Sequence, residues 1–353
     1  MSTRNFRWGP SIAGLSSIAA LLLTVAACGG GSGDSASGSS GSGSTTKITF
    51  ALDWTPNTNH TGLYVAQEEG YFKAAGLDVK ILPYNSASPD TLVSAGSADF
   101  GISFQDSFTI SKAAGGKITS VMAVLQHWAT EIAVKADRAD IKSPADLDGK
   151  TYGGFGAAYE EPEMKQIIKS AGGKGDFKSV VLGTSAYAAL YSGKVDFTVP
   201  FMAWEGIEAQ HANEPLKTFK YTDFGFPDAY NVLIMGNSSW LSKNPEVAKK
   251  FVSALQKGYQ FAADSPDAAA QDLIKANPGA FNDKSLVTES QQMLAKSYLK
   301  DAGGKVGTQT AATWDGFSGF LYNAGVLADA NGKALTSAPD YSTWWTDEYL
   351  GAS

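Results

Sequence analysis

The sequence predicts an α/β fold of two lobes with a cleft between them, on three observations. From Lys47 the chain alternates strand-like and helix-like patterns in the order β-α-β-α-β. A second run of the same order starts near Lys150, and a further strand-like segment, 231–235, then leads into a largely helical tail. Strands joined by helical crossovers form parallel sheets with right-handed connections, whose binding sites lie beyond the strand carboxyl ends. The chain is expected to cross between lobes twice, near 131–135 and near 228–231. Lobe one is then residues 47–133 and 231–353, and lobe two is 134–230.

Each element has a local reason. Residues 47–52 alternate as a strand, 62–75 carry apolar side chains at helical spacing, and 77–82 alternate again. Gly76 stands where a helix C-cap belongs. Residues 88–95 read as a helix with Pro89 suited to its first turn, and 100–103 as a short strand. In the second run, strand 150–153 enters a glycine-rich turn, followed by helix 160–171, strand 179–182, helix 186–192 and strand 197–199. The carboxyl-end rule marks the loops after Leu52 and Ser103 as functional.

The first 46 residues read differently. Residues 1–27 have the form of a signal peptide, with Arg4 and Arg7 in a basic start and an uncharged stretch, 11–27, ending in small side chains. That stretch is short for a membrane span. Leu23-Thr24-Val25-Ala26-Ala27-Cys28 resembles a bacterial lipobox, which implies acylation at Cys28; the alternative is a buried structural cysteine. Two or more acyl chains would hold the protein on the extracytoplasmic face of a cell membrane. Residues 28–46 then form the lipidated cysteine and a tether: 29–46 contain seven glycines and seven serines with one charge, Asp34. Such a segment buries no core and has a root-mean-square reach of about 23 Å.

Composition excludes several classes. With 353 residues and 11% aromatic side chains the chain can bury a core, and one cysteine cannot staple it. The net charge of −7 provides no basic excess to displace phosphate counterions, which argues against a nucleic-acid partner. Only three of the 28 basic residues are arginines: Arg4, Arg7 and Arg138. Sites for sulfonate, carboxylate or phosphate favour bidentate guanidinium groups, so anionic ligands are disfavoured. His60, His127 and His211 have no metal-like spacing. No cofactor, metal or catalytic set is expected.

The segment Leu52-Asp53-Trp54-Thr55-Pro56-Asn57-Thr58-Asn59-His60-Thr61-Gly62-Leu63-Tyr64-Val65-Ala66, with Gly70-Tyr71-Phe72 and Gly76-Leu77-Asp78-Val79, closely resembles the thiamine-pyrimidine-precursor branch of ABC-importer substrate-binding proteins. That group is related to the fungal thiamine pyrimidine synthases. The resemblance continues through 96–101, 153–156, 193–197, 240–251 and 339–350. It implies a type II periplasmic-binding-protein fold, a cleft for formylaminopyrimidine or hydroxymethylpyrimidine, a role in thiamine salvage, and a permease with its ATPase as partners to a monomeric binder. Riboflavin, taurine or other sulfonates, and nitrate are the alternative solutes. An enzyme of the synthase type is a further alternative. The synthases carry a lysine and a histidine in a Gly-Leu-Lys-Ala-Met-Ile-His pattern. The matching run here, Gly101-Ile102-Ser103-Phe104-Gln105-Asp106-Ser107, has serine at both positions, and no cysteine follows Cys28 to form their iron-binding loop.

A flat amine-bearing ring needs stacking faces and in-plane acceptors. Asp53, Trp54, Asn57, His60 and Tyr64 follow the first strand and are candidates, with helix capping or core packing as their other roles. Gln105 follows the strand ending at Ser103. In lobe two, Tyr159 and Glu160 follow the glycine-rich turn Gly153-Gly154-Phe155-Gly156, and Trp204 and Glu205 follow the last strand. A helix N-terminus favours acidic residues for its dipole alone, so one or more of the acidic candidates is expected to be structural.

Overall fold

The structure, a computed structural model, describes residues 45–84 and 87–351. The leader, Cys28 and all but the last two tether residues lie outside the described residues. The first run comprises β1 (Thr46–Ala51), α1 (Thr61–Glu68), α2 (Tyr71–Ala74), β2 (Leu77–Leu82), α3 (Pro89–Ser94), β3 (Phe100–Ser103), α4 (Gln105–Ala113) and β4 (Ile118–Leu125). The second comprises β5 (Ile132–Lys135), β6 (Thr151–Gly154), α5 (Glu160–Ser170), β7 (Lys178–Val181), α6 (Ser185–Tyr191), α7 (Glu205–His211) and β8 (Leu216–Phe219). Strand β9 (Val232–Asn237) precedes a tail of α8 (Ser238–Lys243), α9 (Pro245–Asp264), α10 (Pro266–Ala276), α11 (Lys284–Ser297) and α12 (Ala311–Asn323).

Two local expectations change. The single helix predicted over 62–75 is two, because Gly70 adopts φ 72° between α1 and α2 and turns the chain. The strand predicted at 197–199 is reduced to isolated bridges at Phe197 and Thr198.

The first sheet has the order β2-β1-β3-β9-β4. Its first three strands are parallel, as the β-α-β-α-β pattern requires, but β9 runs antiparallel to both β3 and β4. An all-parallel sheet is therefore corrected to a mixed one: β9 arrives without a helical crossover and enters in the reverse sense. The second run repeats this plan in ladder fragments. β7 pairs parallel with β6, Tyr152 bridges Phe197 in parallel, Ala133 bridges Thr198 antiparallel, and β5 pairs antiparallel with β8. The order β7-β6-(197–198)-β5-β8 thus matches the first sheet in sequence and sense.

Each sheet has a core. Phe50, Phe100, Ile102 and Ile234 pack against Phe251 and Leu255 of α9; Ile132, Val134, Tyr152 and Phe197 pack against Ile167 and Ile168 of α5. The tail serves both. Trp314 of α12 packs with Phe108 and Tyr230 near the first sheet, while Phe317 and Leu321 of the same helix enter the second core. Trp344 also packs with the first group.

Segments 127–131 and 227–231 are laced together. Asp228 accepts from Trp128 N (3.2 Å) and bonds His127 Nδ1 (2.6 Å), Trp128 Nε1 donates to the Pro227 carbonyl (2.9 Å), and Asn231 Oδ1 accepts from Ala129 N (3.0 Å). Among the described residues no helix is long and apolar enough to cross a membrane.

Candidate functional site

The strand carboxyl ends of the two runs meet around a cavity of about 340 Å³, within the range of small-molecule sites. The loop after β1 supplies Asp53, Trp54 and residues 55–59, and Phe104 follows β3. From the second run come Phe155 after β6, Thr184 and Tyr187 at the start of α6, and Phe201, Trp204 and Glu205 before and at the start of α7. Six aromatic residues from the two runs, Trp54, Phe104, Phe155, Tyr187, Phe201 and Trp204, thus line a space that holds two carboxylates. Among the described residues, no lysine, arginine or cysteine lines it.

The first carboxylate is held by the loop that carries it. Residues 58–60 form a 3₁₀ turn capped by Asn57, whose Oδ1 accepts from Asn59 N (2.9 Å). His60 is fully buried, and its Nδ1 accepts from Asn57 N (3.2 Å). That bond places the ring proton on Nε2, which donates to Asp53 Oδ1 at 2.7 Å. The turn is braced from behind: Tyr259 Oη donates to the Asn59 carbonyl (2.7 Å), and Thr58 Oγ1 bonds Ser290 Oγ (2.6 Å). Gly62 allows this approach, because a Cβ there would collide with the Tyr259 ring.

Glu205 faces the cavity from the other wall. Its Oε2 accepts from Phe201 N (3.1 Å), yet burial pushes its carboxyl up to about 7, with Glu208 adding to the rise.

Of the ten residues singled out from the sequence for ligand contact, Asp53, Trp54, Asn57, Trp204 and Glu205 line the cavity. The other five do not line it and are bonded or packed elsewhere. His60 orients Asp53 from a fully buried position. Tyr64 packs with Ala270, Leu273 and Val287 because its helical face turns toward α10 and α11. Gln105 links segments: its N–H donates to the Tyr230 carbonyl (3.2 Å), and its Oε1 accepts from Tyr230 N (2.8 Å). Tyr159 packs against the second core, and burial holds its phenol well above the usual range. Glu160 folds back on the glycine-rich turn, accepting from Phe155 N (2.9 Å) and Ala157 N (3.0 Å). Its carboxylate takes the place a phosphate would occupy in such a turn.

Sequence reasoning missed Phe104, Phe155, Tyr187 and Phe201. Three of them lie directly beyond strand ends or bridges, so the carboxyl-end rule applied to every aromatic residue would have found them; Tyr187, inside α6, carries no such signal. Arg138 lies elsewhere, paired with Asp140 (2.8 Å) and Asp196 (2.7 Å).

A family model described as NMT1/THI5 like matches residues 57–269. The chain belongs to the NMT1/THI5-like family. It is similar to the formylaminopyrimidine-binding protein of Halalkalibacterium halodurans, with 30% identity over 274 residues, covering 76% of this chain and 82% of that one. It is also similar to the 4-amino-5-hydroxymethyl-2-methylpyrimidine phosphate synthase THI13 of Saccharomyces cerevisiae, with 28% identity over 324 residues, covering 87% and 88%. The NMT1/THI5-like family therefore brings together relatives named for binding and relatives named for synthesis. In fold, the chain resembles the periplasmic sulfonate-binding protein SsuA of Methylobacillus flagellatus, with a TM-score of 0.64 at 16% identity over 87% of this chain and 93% of that one. SsuA of Escherichia coli gives 0.62 at 13% identity over 86% and 99%. The expected type II periplasmic-binding-protein fold is thus the observed one.

Proposed function

We propose that this protein is the solute-binding component of an ABC importer and binds a thiamine pyrimidine precursor, formylaminopyrimidine or hydroxymethylpyrimidine, for thiamine salvage. The observation that carries the reading is the cleft itself: aromatic faces from both runs around two carboxylates, Asp53 and Glu205. An aminopyrimidine presents a flat ring to the first and N–H donors to the second. The formylaminopyrimidine-binding relative supports the same ligand class. A sulfonate fits the cleft poorly, because two carboxylates repel an anion and the glycine-rich turn spends its N–H groups on Glu160.

On this reading residues 47–133 and 231–353 form lobe one and 134–230 lobe two, with α12 packed into both. Ligand meets Asp53 and Trp54 on one lobe; rotation about the laced segments 127–131 and 227–231 brings Trp204 and Glu205 onto its other side. The permease and its ATPase then read the closed form. Acylation at Cys28 and the 29–46 tether would hold the body on the extracytoplasmic face of the membrane as a monomer. The binder reading is favoured over a synthase by Ser103 and Ser107, which offer neither the amine nor the imidazole of the synthase pattern.

Calorimetric titration of the protein with formylaminopyrimidine, hydroxymethylpyrimidine, riboflavin and taurine tests the assignment. Binding to a pyrimidine alone is expected; tight binding of riboflavin or taurine instead would refute it. Incubation with pyridoxal phosphate and iron should yield no new pyrimidine, and product formation would establish the enzyme.

A further inference from the structure

Beside the main cleft lies a second cavity of about 270 Å³, and the two share Asp53, Trp54 and Phe104 as their common border. Trp54 is the partition: the residue is 47% exposed, and its ring rests against Tyr84 with ring centroids 5.1 Å apart. The floor is Asp90, which is almost fully buried and accepts from Ser103 Oγ (2.9 Å) and Ser88 Oγ (3.2 Å). Burial pushes the Asp90 carboxyl up to about 6, and the charge of Asp53 adds to the rise. Two hydroxyl donors soften the desolvation of this carboxylate without neutralising it. Among the described residues lining the chamber there is no lysine, arginine or histidine.

The chamber, about 270 Å³ against about 340 Å³ for the main cleft, has room for more than a methyl-sized substituent. Its lining combines what a cation needs: an aromatic pair, Trp54 and Tyr84, and two carboxylates, Asp53 and Asp90. A neutral or anionic group there would leave Asp90 buried without a counter-charge. We propose that this second chamber holds the cationic part of a two-part ligand, a positively charged group up to the size of a five-membered heteroaromatic ring, while an amine-bearing ring occupies the main cleft. The proposal rests on the reading of the main cleft as an aminopyrimidine site and extends it: the ligand class includes a pyrimidine joined to a cation.

The test uses three probes on the whole protein. Thiamine carries an aminopyrimidine and a thiazolium; its thiophene isostere has nearly the same shape without the charge; hydroxymethylpyrimidine lacks the second ring. Wild-type protein is expected to bind thiamine about tenfold more tightly than the isostere, the scale of a desolvated cation held by aromatic and carboxylate groups. Asp90→Asn should remove most of that preference while leaving the affinity for hydroxymethylpyrimidine unchanged, with an undiminished melting temperature as the check on folding. Tyr84→Leu, on the rim of the second chamber only, should lower the same ratio and serves if the first variant does not fold. Equal affinity for thiamine and its isostere, or a preference that survives both substitutions, overturns the proposal. Binding of hydroxymethylpyrimidine without thiamine overturns it and leaves the aminopyrimidine reading standing. Preferential binding of thiamine without hydroxymethylpyrimidine upholds the chamber and removes the single-ring reading, and failure of all three probes overturns both.

Discussion

Replacing Glu205 by glutamine separates what a buried carboxylate does for the ligand from what it does to the fold. Its carboxyl is raised from 4.5 to about 7, chiefly by burial. A folded-state value above the unfolded one means that the stability associated with the protonated group is present at low pH and lost as pH rises through 7. Integrated between pH 5 and pH 8, a rise of that size corresponds to about 2.5 kcal/mol. Glu205→Gln keeps the shape without the ionisation, so it should match the wild type near pH 4 and become more stable than it as pH rises. Urea unfolding of both proteins at pH 5 and pH 8 reads this difference. Ligand binding should move oppositely. If the ionised carboxylate accepts the ligand amine, wild-type affinity falls about tenfold from pH 8 to pH 6, one pH unit below the midpoint, and the variant binds weakly with a flatter profile. Parallel stability profiles for the two proteins would refute the buried carboxylate, and an unchanged affinity in the variant would refute its contact with ligand.

Three further outcomes follow from the geometry. His60→Ala removes the donor that holds Asp53 and the acceptor for Asn57 N, and should cost about 1–3 kcal/mol of stability together with affinity; calorimetry on the folded variant checks the second, and unchanged affinity would show that Asp53 needs no such support. Glu160→Gln weakens the acceptor of Phe155 N and Ala157 N, so hydrogen exchange at those two amides should quicken and affinity should fall modestly as the Phe155 ring loses its position; unaltered exchange argues against the brace. His211 on α7 bonds Asp283 Oδ2 (3.0 Å) and Glu289 Oε2 (3.1 Å), and these two carboxylates hold its imidazole above its usual range. Both ring nitrogens donate only in the protonated form, so this link between α7 and the α11 region is complete at low pH and released as pH rises. A distance probe between α7 and α11 should report separation from pH 6 to pH 8 in the wild type and no such change in His211→Ala.

Much of the fold was legible because it is local. The alternation at 47–52 and 77–82, the glycine after the helix, and the proline at the start of α3 each act over a few residues, and those elements stand where the patterns put them. Strand 197–199 was misjudged because its partners are remote: only Phe197 and Thr198 find bridges, to Tyr152 and Ala133. For the site, the carboxyl-end rule pointed to loops from which Asp53, Trp54, Asn57, Trp204 and Glu205 line one cavity. It could not tell which of the neighbouring polar residues turn inward.

The sequence by itself determined the alternating β-α pattern of the two runs, the family and the chemical character of the site, since these follow from side-chain type and short-range periodicity. Only the tertiary structure decided how those side chains are used. His60 lies seven residues from Asp53 and became its support. Glu160 closed on its own turn, and Gln105 joined residue 230. Phe104 and Phe155, unremarkable in sequence, became walls of the cleft. The physical reason is that a polar group bonds whichever donor or acceptor is nearest in space once water is excluded, and that choice is made by helices and strands far away along the chain.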